Sequence, residues 1–189
     1  TELDLSGFDT SNVKYMYGMF SRCTSLTSLD FASFDTSNVM SMHSMFQDCS
    51  SLTGLDLSGF DTSSVTSMYI MFSGCESLTH LNLTSFDTSK VTNMNFMFSG
   101  CSRLTSLDLS NFDTSNVTTM IWMFGRCYDL TSLNLSVKAP VAGESPAPGS
   151  DYCKIDGLPP YMKLERVDWL KCYDDWRYYS DKPFTFQAG

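Results

Sequence analysis

A strict internal repeat is the feature that most limits what this sequence can fold into. The same residue types recur every 26 positions without an insertion, so that five full units fill residues 3–132 and a sixth begins at Leu133 and stops. One column contains only phenylalanine, at Phe20, Phe46, Phe72, Phe98 and Phe124. Such an array predicts stacked units, because one short unit cannot bury its own apolar side without a neighbour.

The repeat also accounts for the composition. The 189 residues include 12 methionines, 14 phenylalanines and 7 cysteines, and the repeat columns contain 10, 10 and 5 of them respectively. These residues are therefore interpreted as a core and not as ligands of a cofactor. The column cysteines show no C-x-x-C spacing, which favours a buried column over metal binding or thiol chemistry.

Charge and hydropathy argue against two classes of partner. The chain carries a net charge of −9 and has a pI of about 4.4, which disfavours both a nucleic-acid backbone and an anionic membrane surface. The sequence contains no run of 18 apolar residues. We therefore expect no nucleic-acid partner and no membrane insertion of this fragment.

The residue pattern of each unit predicts an inner strand, a turn and an outer segment that returns the chain to the next strand. In residues 26–51 the pattern Leu26-x-x-Leu29-x-Phe31 predicts a short strand whose alternate side chains point inward. The polar turn begins at Asp35. The outer segment has the spacing of one apolar face of a helical or 3₁₀ turn, or opens with a short strand, and its apolar residues are Val39, Met42, Met45, Phe46 and Cys49.

The unit L-x-x-L-x-L-S-x-F-D-T-S-x-V-x-x-M-x-x-M-F-x-x-C resembles the bacterial surface protein 26-residue repeat, a relative of the BspA-like leucine-rich repeats. The resemblance implies a right-handed, leucine-rich-repeat-like solenoid on an extracellular bacterial protein, either secreted or attached to the cell surface. It implies adhesion to a host or neighbouring-cell protein or glycan, and no enzyme. One departure is that Phe34 and Phe60 stand where leucine-rich repeats usually have asparagine.

Three regions follow from these patterns. Residues 1–136 are the solenoid, residues 137–150 form a linker rich in Pro, Gly and Ala, and residues 151–189 form an aromatic-rich C-terminal cap that seals the last units. Cys153 and Cys172 lie outside the array, and a disulfide between them is favoured for an extracellular protein. In the alternative, Cys153 continues the cysteine column, since it follows Cys127 by 26 residues.

A polar strip is predicted on the exposed strand face. Its candidate partner-binding residues are Asp30, Asp56, His80, Asn82 and Asp108. They lie between inward-pointing strand positions and therefore face solvent. The strip is either a docking face for a cationic or hydroxyl-rich partner, or a solvated face that keeps exposed strands soluble.

A second candidate surface lies on the outer segment. One variable column becomes steadily more apolar and ends in Ile70, Phe96 and Trp122. An exposed apolar stripe usually marks an interface. The favoured alternative is that the C-terminal segment covers this stripe.

These features predict a non-catalytic recognition module, with a structural spacer or stalk as the alternative. No nucleophile–base arrangement, convergent carboxylate pair, phosphate loop or zinc spacing is found in the sequence. Neither a cofactor nor a metal is expected. We further expect that two copies of the chain can associate through the edge of the open first unit.

Overall fold

The protein is described by a computed structural model that covers residues 3–135 and 185–186. Short parallel strands form its inner face, and they pair as a two-stranded sheet β1–β2 and a three-stranded sheet β3–β4–β5. The strands are β1 (Gly54–Asp56), β2 (His80–Asn82), β3 (Ser106–Leu109), β4 (Ser132–Leu135) and β5 (Thr185–Phe186). No helix occurs in these two ranges.

Strand pairing follows the 26-residue period. Leu55 pairs with Leu81, and Leu107 pairs with Leu133, each in parallel register. Side chains alternate across the strands, so that Leu107 and Leu109 are buried while Asp108 is exposed. Consecutive units are thus stacked directly upon one another. β5 adds to the last of these strands, with Thr185 opposite Ser132.

The outer segments consist of successive turns joined by hydrogen bonds between units. In each turn, an N–H group bonds to the carbonyl three residues earlier, as Met71 does to Met68 at 3.2 Å. Alternate N–H groups instead donate to the next unit, for example from Phe72 to the carbonyl of Met97 at 2.9 Å. A single parallel bridge per unit precedes the turns, such as Ser41 with Ser67.

Left-handed residues explain why the outer segment is not a helix. Two positions per unit have positive φ, and the first of them is Gly18, Ser44, Ile70, Phe96 or Trp122. A right-handed helix cannot continue through such a residue. The helical spacing of the apolar positions therefore arises from linked turns.

Stacked identical side chains fill the interior. The Phe46, Phe72 and Phe98 rings lie parallel within 4°, with 5.6 Å between successive centroids, and all three are fully buried. Phe60, Phe86 and Phe112 form a second buried column. These parallel stacks add aromatic contact to the gain from burying apolar surface.

Two polar columns are built into this core. The hydroxyl of Thr36 donates to the carbonyl of Asp61 at 2.9 Å and accepts from the N–H of Asp61 at 2.8 Å. Thr62 makes the same pair of bonds with Asp87. Buried thiols also donate across units, as from Cys75 Sγ to the carbonyl of Phe46 at 3.1 Å. In the described residues, no buried side-chain nitrogen or oxygen lacks a hydrogen-bond partner.

The first unit has an open apolar side. Phe8 is 52% exposed, whereas Phe60 in the same column is 2% exposed. Met19 is 37% exposed, whereas Met45 is fully buried. The difference arises because each unit is covered by its two neighbours.

Candidate functional site

Four of the five residues predicted for the strand face line one depression. Asp56, His80, Asn82 and Asp108 surround a shallow space of about 560 Å³ that spans β1, β2 and β3. Asp30 lies in the neighbouring depression of about 660 Å³, together with Asp4. The parallel register brings these residues together: the aspartates and Asn82 occupy the same position of their units, and His80 lies two residues before Asn82 in β2.

The carboxylates of this strip also bond to their own backbone. Asp56 Oδ1 accepts from the N–H of Ser58 at 3.0 Å, and Asp108 Oδ1 accepts from the N–H of Ser110 at 2.9 Å. Asn82 Oδ1 takes the same role toward the N–H of Thr84 at 3.2 Å. An asparagine can therefore replace an aspartate at this position without loss of the turn.

Hydrogen bonding keeps the carboxyl group of Asp56 ionised. Its pKa is lowered chiefly by the backbone N–H of Ser58 and then by the Ser58 hydroxyl. The Asn82 amide also donates to Asp56 Oδ1 at 3.0 Å. The depression thus presents fixed negative charge to solvent, a chemistry suited to a cationic or hydroxyl-rich partner.

His80 stands at the edge of this depression. Its Nδ1 is 2.8 Å from the hydroxyl of Thr79, and its ring is exposed. An exposed imidazole beside a threonine hydroxyl is suited to hydrogen bonding with a bound partner.

The predicted outer stripe has an unexpected backbone. Ile70, Phe96 and Trp122 have φ values of +48°, +55° and +53°. Ile70 and Phe96 are half-buried, and Trp122 is 39% exposed. Trp122 packs over Gly125, where an added Cβ would collide with the indole. Two predictions concern residues outside the described ranges. One is that the C-terminal segment covers this stripe, and the other is the Cys153–Cys172 disulfide.

Sequence reasoning missed a row of touching rings on the outer face. Tyr17 meets His43 with 6.0 Å between centroids, His43 meets Tyr69 at 4.9 Å, and Tyr69 meets Phe96 at 6.3 Å. Tyr15 stacks on Tyr17 at 5.2 Å. The aromatic residues Tyr17, His43 and Tyr69 share one position of the repeat, and this column was a sequence signal for the row. The fourth ring, Phe96, belongs to the next position of the repeat, so the column alone does not give the whole row.

The cysteine column has the properties of a core. Cys49, Cys75, Cys101 and Cys127 are buried, and burial raises the pKa of the Cys49 thiol to about 11 and that of Cys127 to about 12. A thiolate is the reactive form of cysteine, and these thiols are protonated at neutral pH. In residues 3–135 and 185–186, no group of three or more His, Cys, Asp or Glu side chains is placed to hold a metal ion.

None of the described residues belongs to a helix long and apolar enough to cross a bilayer.

Comparisons with known proteins place the chain in one family. The sequence matches the family described as "Mycoplasma protein of unknown function, DUF285" over residues 1–80 and again over residues 52–139. Searches of curated proteins and of solved structures returned no match. The two matched segments together run from residue 1 to residue 139 and include every 26-residue unit, and the chain therefore belongs to the DUF285 family.

Proposed function

We propose that this chain is a non-catalytic recognition and adhesion module of a bacterial surface, built on a BspA-like, leucine-rich-repeat solenoid. Its partner is a protein or glycan of a host or neighbouring cell, and its location is extracellular. The observation that carries the proposal is the strand-face depression lined by Asp56, His80, Asn82 and Asp108. These side chains are not needed to fill the core, since they lie on the solvent side of the strands.

The depression supports recognition through its polarity and its register. Asp56 and Asp108 lie two units apart, with Asn82 between them, so that an amide group separates two anionic groups in the depression. Rigid strands hold these groups at fixed spacing, which lowers the entropy lost on binding. A partner with regularly spaced cationic or hydroxyl groups fits this array.

A structural spacer is the second candidate function. It is favoured by the uniform core, since the phenylalanine, methionine and cysteine columns scarcely change between units. The variable outer column favours recognition instead, because a spacer needs no change from Ile70 to Phe96 to Trp122.

Self-association through the first unit is part of the same proposal. Leu3, Phe8 and Met19 are 44%, 52% and 37% exposed there. A second copy that covers them would bury an apolar surface that later units bury internally. Sedimentation velocity tests this: the wild type should show a concentration-dependent dimer that Phe8→Ser removes, and a monomer at every concentration would contradict it.

A binding array tests the recognition role. The purified protein is applied to extracellular host proteins and glycans, beside the double variant Asp56→Asn/Asp108→Asn and the single variant Trp122→Ala. The asparagine changes remove two charges but keep the turn hydrogen bonds, as Asn82 already does. Equal melting temperatures would show that the variants fold.

Each outcome of the array has a distinct meaning. A hit that is lost only in the double variant places recognition on the strand face. A hit that is lost only with Trp122→Ala places it on the outer stripe. A folded protein without any hit contradicts the recognition role and favours the spacer.

A further inference from the structure

We infer that the outer face carries a binding track for neutral, extended, β-linked oligosaccharides, formed by the aromatic row of Tyr15, Tyr17, His43, Tyr69 and Phe96. The inference rests on the proposed recognition function and assigns it a second face and a ligand class. It is carried by the ring contacts, the neutral lining beside them and the spacing of the units.

The row is continuous along the stacking direction. Tyr17, His43 and Tyr69 occupy the same position in three successive units, and each ring meets the next edge to face at 75° and 81°. Tyr15 and Tyr17 are 55% and 58% exposed. Tyrosine offers both an apolar ring and a hydroxyl group, a combination that suits the C–H face and the hydroxyl groups of a sugar.

A neutral depression lies beside the first half of the row. It measures about 610 Å³, and besides Tyr17 and His43 of the row its polar side chains are Ser21, Ser41, Ser44, Gln47 and Ser67. Asp, Glu, Lys and Arg are absent from its lining. Hydroxyl and amide groups can both donate and accept hydrogen bonds, so this lining matches a ligand that consists largely of hydroxyl groups.

The absence of charge from the lining separates this surface from the strand face. The chain as a whole carries a net charge of −9, and Asp56 and Asp108 contribute to it from the strand face. A polyanionic glycan would be repelled by the whole molecule and would find no Lys or Arg side chain in the lining of the depression. The chemistry therefore favours a neutral sugar chain.

The spacing of the units fits one sugar per unit. Equivalent rings in adjacent units are 5.6 Å apart in the core column, and backbones of neighbouring strands are about 4.8 Å apart. A pyranose in an extended β-linked chain has a similar length. An extended oligosaccharide can thus follow the row and repeat its contacts from unit to unit.

Titration calorimetry with cellohexaose, mannohexaose and chitohexaose, all of them β-1,4-linked, tests the inference. Tyr17→Asn and Tyr69→Asn remove rings from the row, and the repeat tolerates asparagine there because Asn95 holds the same position in the next unit. Tyr128→Asn is the matched control, since Tyr128 is 46% exposed and outside the row. Asp56→Asn/Asp108→Asn reports on the strand face, and loss of sugar binding in this variant alone would overturn the inference.

We expect the wild type to bind at least one of the three hexasaccharides. Each row variant should bind it at least about tenfold more weakly, and Tyr128→Asn should bind it as the wild type does. Wild type that binds none of the three, or binding that survives both row variants, would overturn the inference. A protein hit that depends on Asp56 and Asp108 would still support the proposed function in that case, so the two failures are distinguishable.

Discussion

Ile70 combines a β-branched side chain with a backbone φ of +48°. Such a residue is rarely left-handed, and holding it there costs about 1–3 kcal/mol. The N–H of Ile70 donates to the carbonyl of Asn95 at 3.0 Å, and the adjacent carbonyl of Tyr69 accepts from Ser44 at 3.0 Å. Hydrogen bonds to both neighbouring units thus offset the strain.

The central phenylalanine column gives a first prediction at this scale. Phe72 is fully buried between Phe46 and Phe98, so that Phe72→Ala removes both stacked contacts and leaves a cavity. We expect a loss of about 3–5 kcal/mol in the free energy of unfolding, measured by urea titration. Phe8→Ala is the control, since Phe8 is 52% exposed and should lose little. Equal small losses in both variants would mean that the column is not a core.

The second left-handed position gives another prediction. Gly100 has a φ of +80°, and an added Cβ would lie 3.2 Å from the backbone nitrogen of Gly74. We expect Gly100→Ala to lower the free energy of unfolding by about 1–2 kcal/mol. Arg126 holds the same position in the next unit with a side chain, so Arg126→Ala should change little. An unchanged stability in Gly100→Ala would contradict the left-handed backbone.

At the scale of the element, the threonine column connects the turn of each unit to the turn of the next. The hydroxyl of Thr62 donates to the carbonyl of Asp87 at 2.8 Å and accepts from the N–H of the same residue at 2.8 Å. Thr62 itself is 1% exposed. One hydroxyl group therefore satisfies two backbone groups of the next unit, which sets the distance between successive turns.

Thr62→Val tests this connection. Valine keeps the shape of the side chain but leaves the N–H and carbonyl of Asp87 unpaired, so we expect a loss of about 1–3 kcal/mol in the free energy of unfolding. Thr66→Val is the matched control, because Thr66 is exposed and its hydroxyl donates to Met40 at 3.3 Å. A loss of equal size in both variants would show that the buried bonds have no special role.

The sequence predicts the pairing of the strands but not the turns of the outer segment. The 26-residue spacing predicts that Leu55 lies beside Leu81, because identical positions of adjacent units must pair, and they do. The turns of the outer segment could not be predicted, because Val39, Met42, Met45 and Phe46 have helical spacing. Nothing in a serine or an isoleucine indicates a left-handed backbone, which only the bonds between units impose at Ser44 and Ile70.

In the candidate site, too, the repeat period predicts some features and not others. The positions of Asp56, Asn82 and Asp108 could be predicted, since they share one column and one face of the strands. The aromatic row could not be followed by column, because it passes from Tyr69 to Phe96, which occupies a different position of the unit. The contact arises from packing between units and not from the period.

At the scale of the whole molecule, two groups of residues set opposite pH limits. Hydrogen bonds to Ser11 and Ser37 lower the pKa values of Asp9 and Asp35, so their stabilising effect is lost as the pH falls below the ordinary value of 3.8. Burial raises the pKa of Cys127 from 9.0 to about 12. The unfolded chain loses that proton first, so stability falls as the pH rises from 9.0 toward 12.

The alkaline limit is testable by urea unfolding at pH 8 and pH 10. We expect the wild type to lose stability between these values, and Cys127→Ala to lose about 1.4 kcal/mol less, which is the effect of one pH unit above 9.0 for one thiol. All other ionisable side chains are the same in both proteins, so their contribution cancels in the comparison. Identical losses in the two proteins would contradict a buried, protonated Cys127.

Both proposed binding surfaces depend on units that stack in parallel at a 26-residue register, and cysteine cross-linking tests that register most directly. Thr66 and Thr92 are exposed, and the N–H of Thr92 donates to the carbonyl of Thr66 at 3.0 Å. Backbones of adjacent units lie about 4.8 Å apart, within the range that a disulfide can bridge. Thr66 and Thr118 lie two units apart, at about twice that distance, which exceeds the range.

The measurement is peptide mapping by mass spectrometry after mild oxidation of two double variants. Our account predicts an intramolecular disulfide in Thr66→Cys/Thr92→Cys and none in Thr66→Cys/Thr118→Cys. A disulfide in the second variant only, or in neither variant, would contradict the parallel stack on which the proposed recognition surfaces are built.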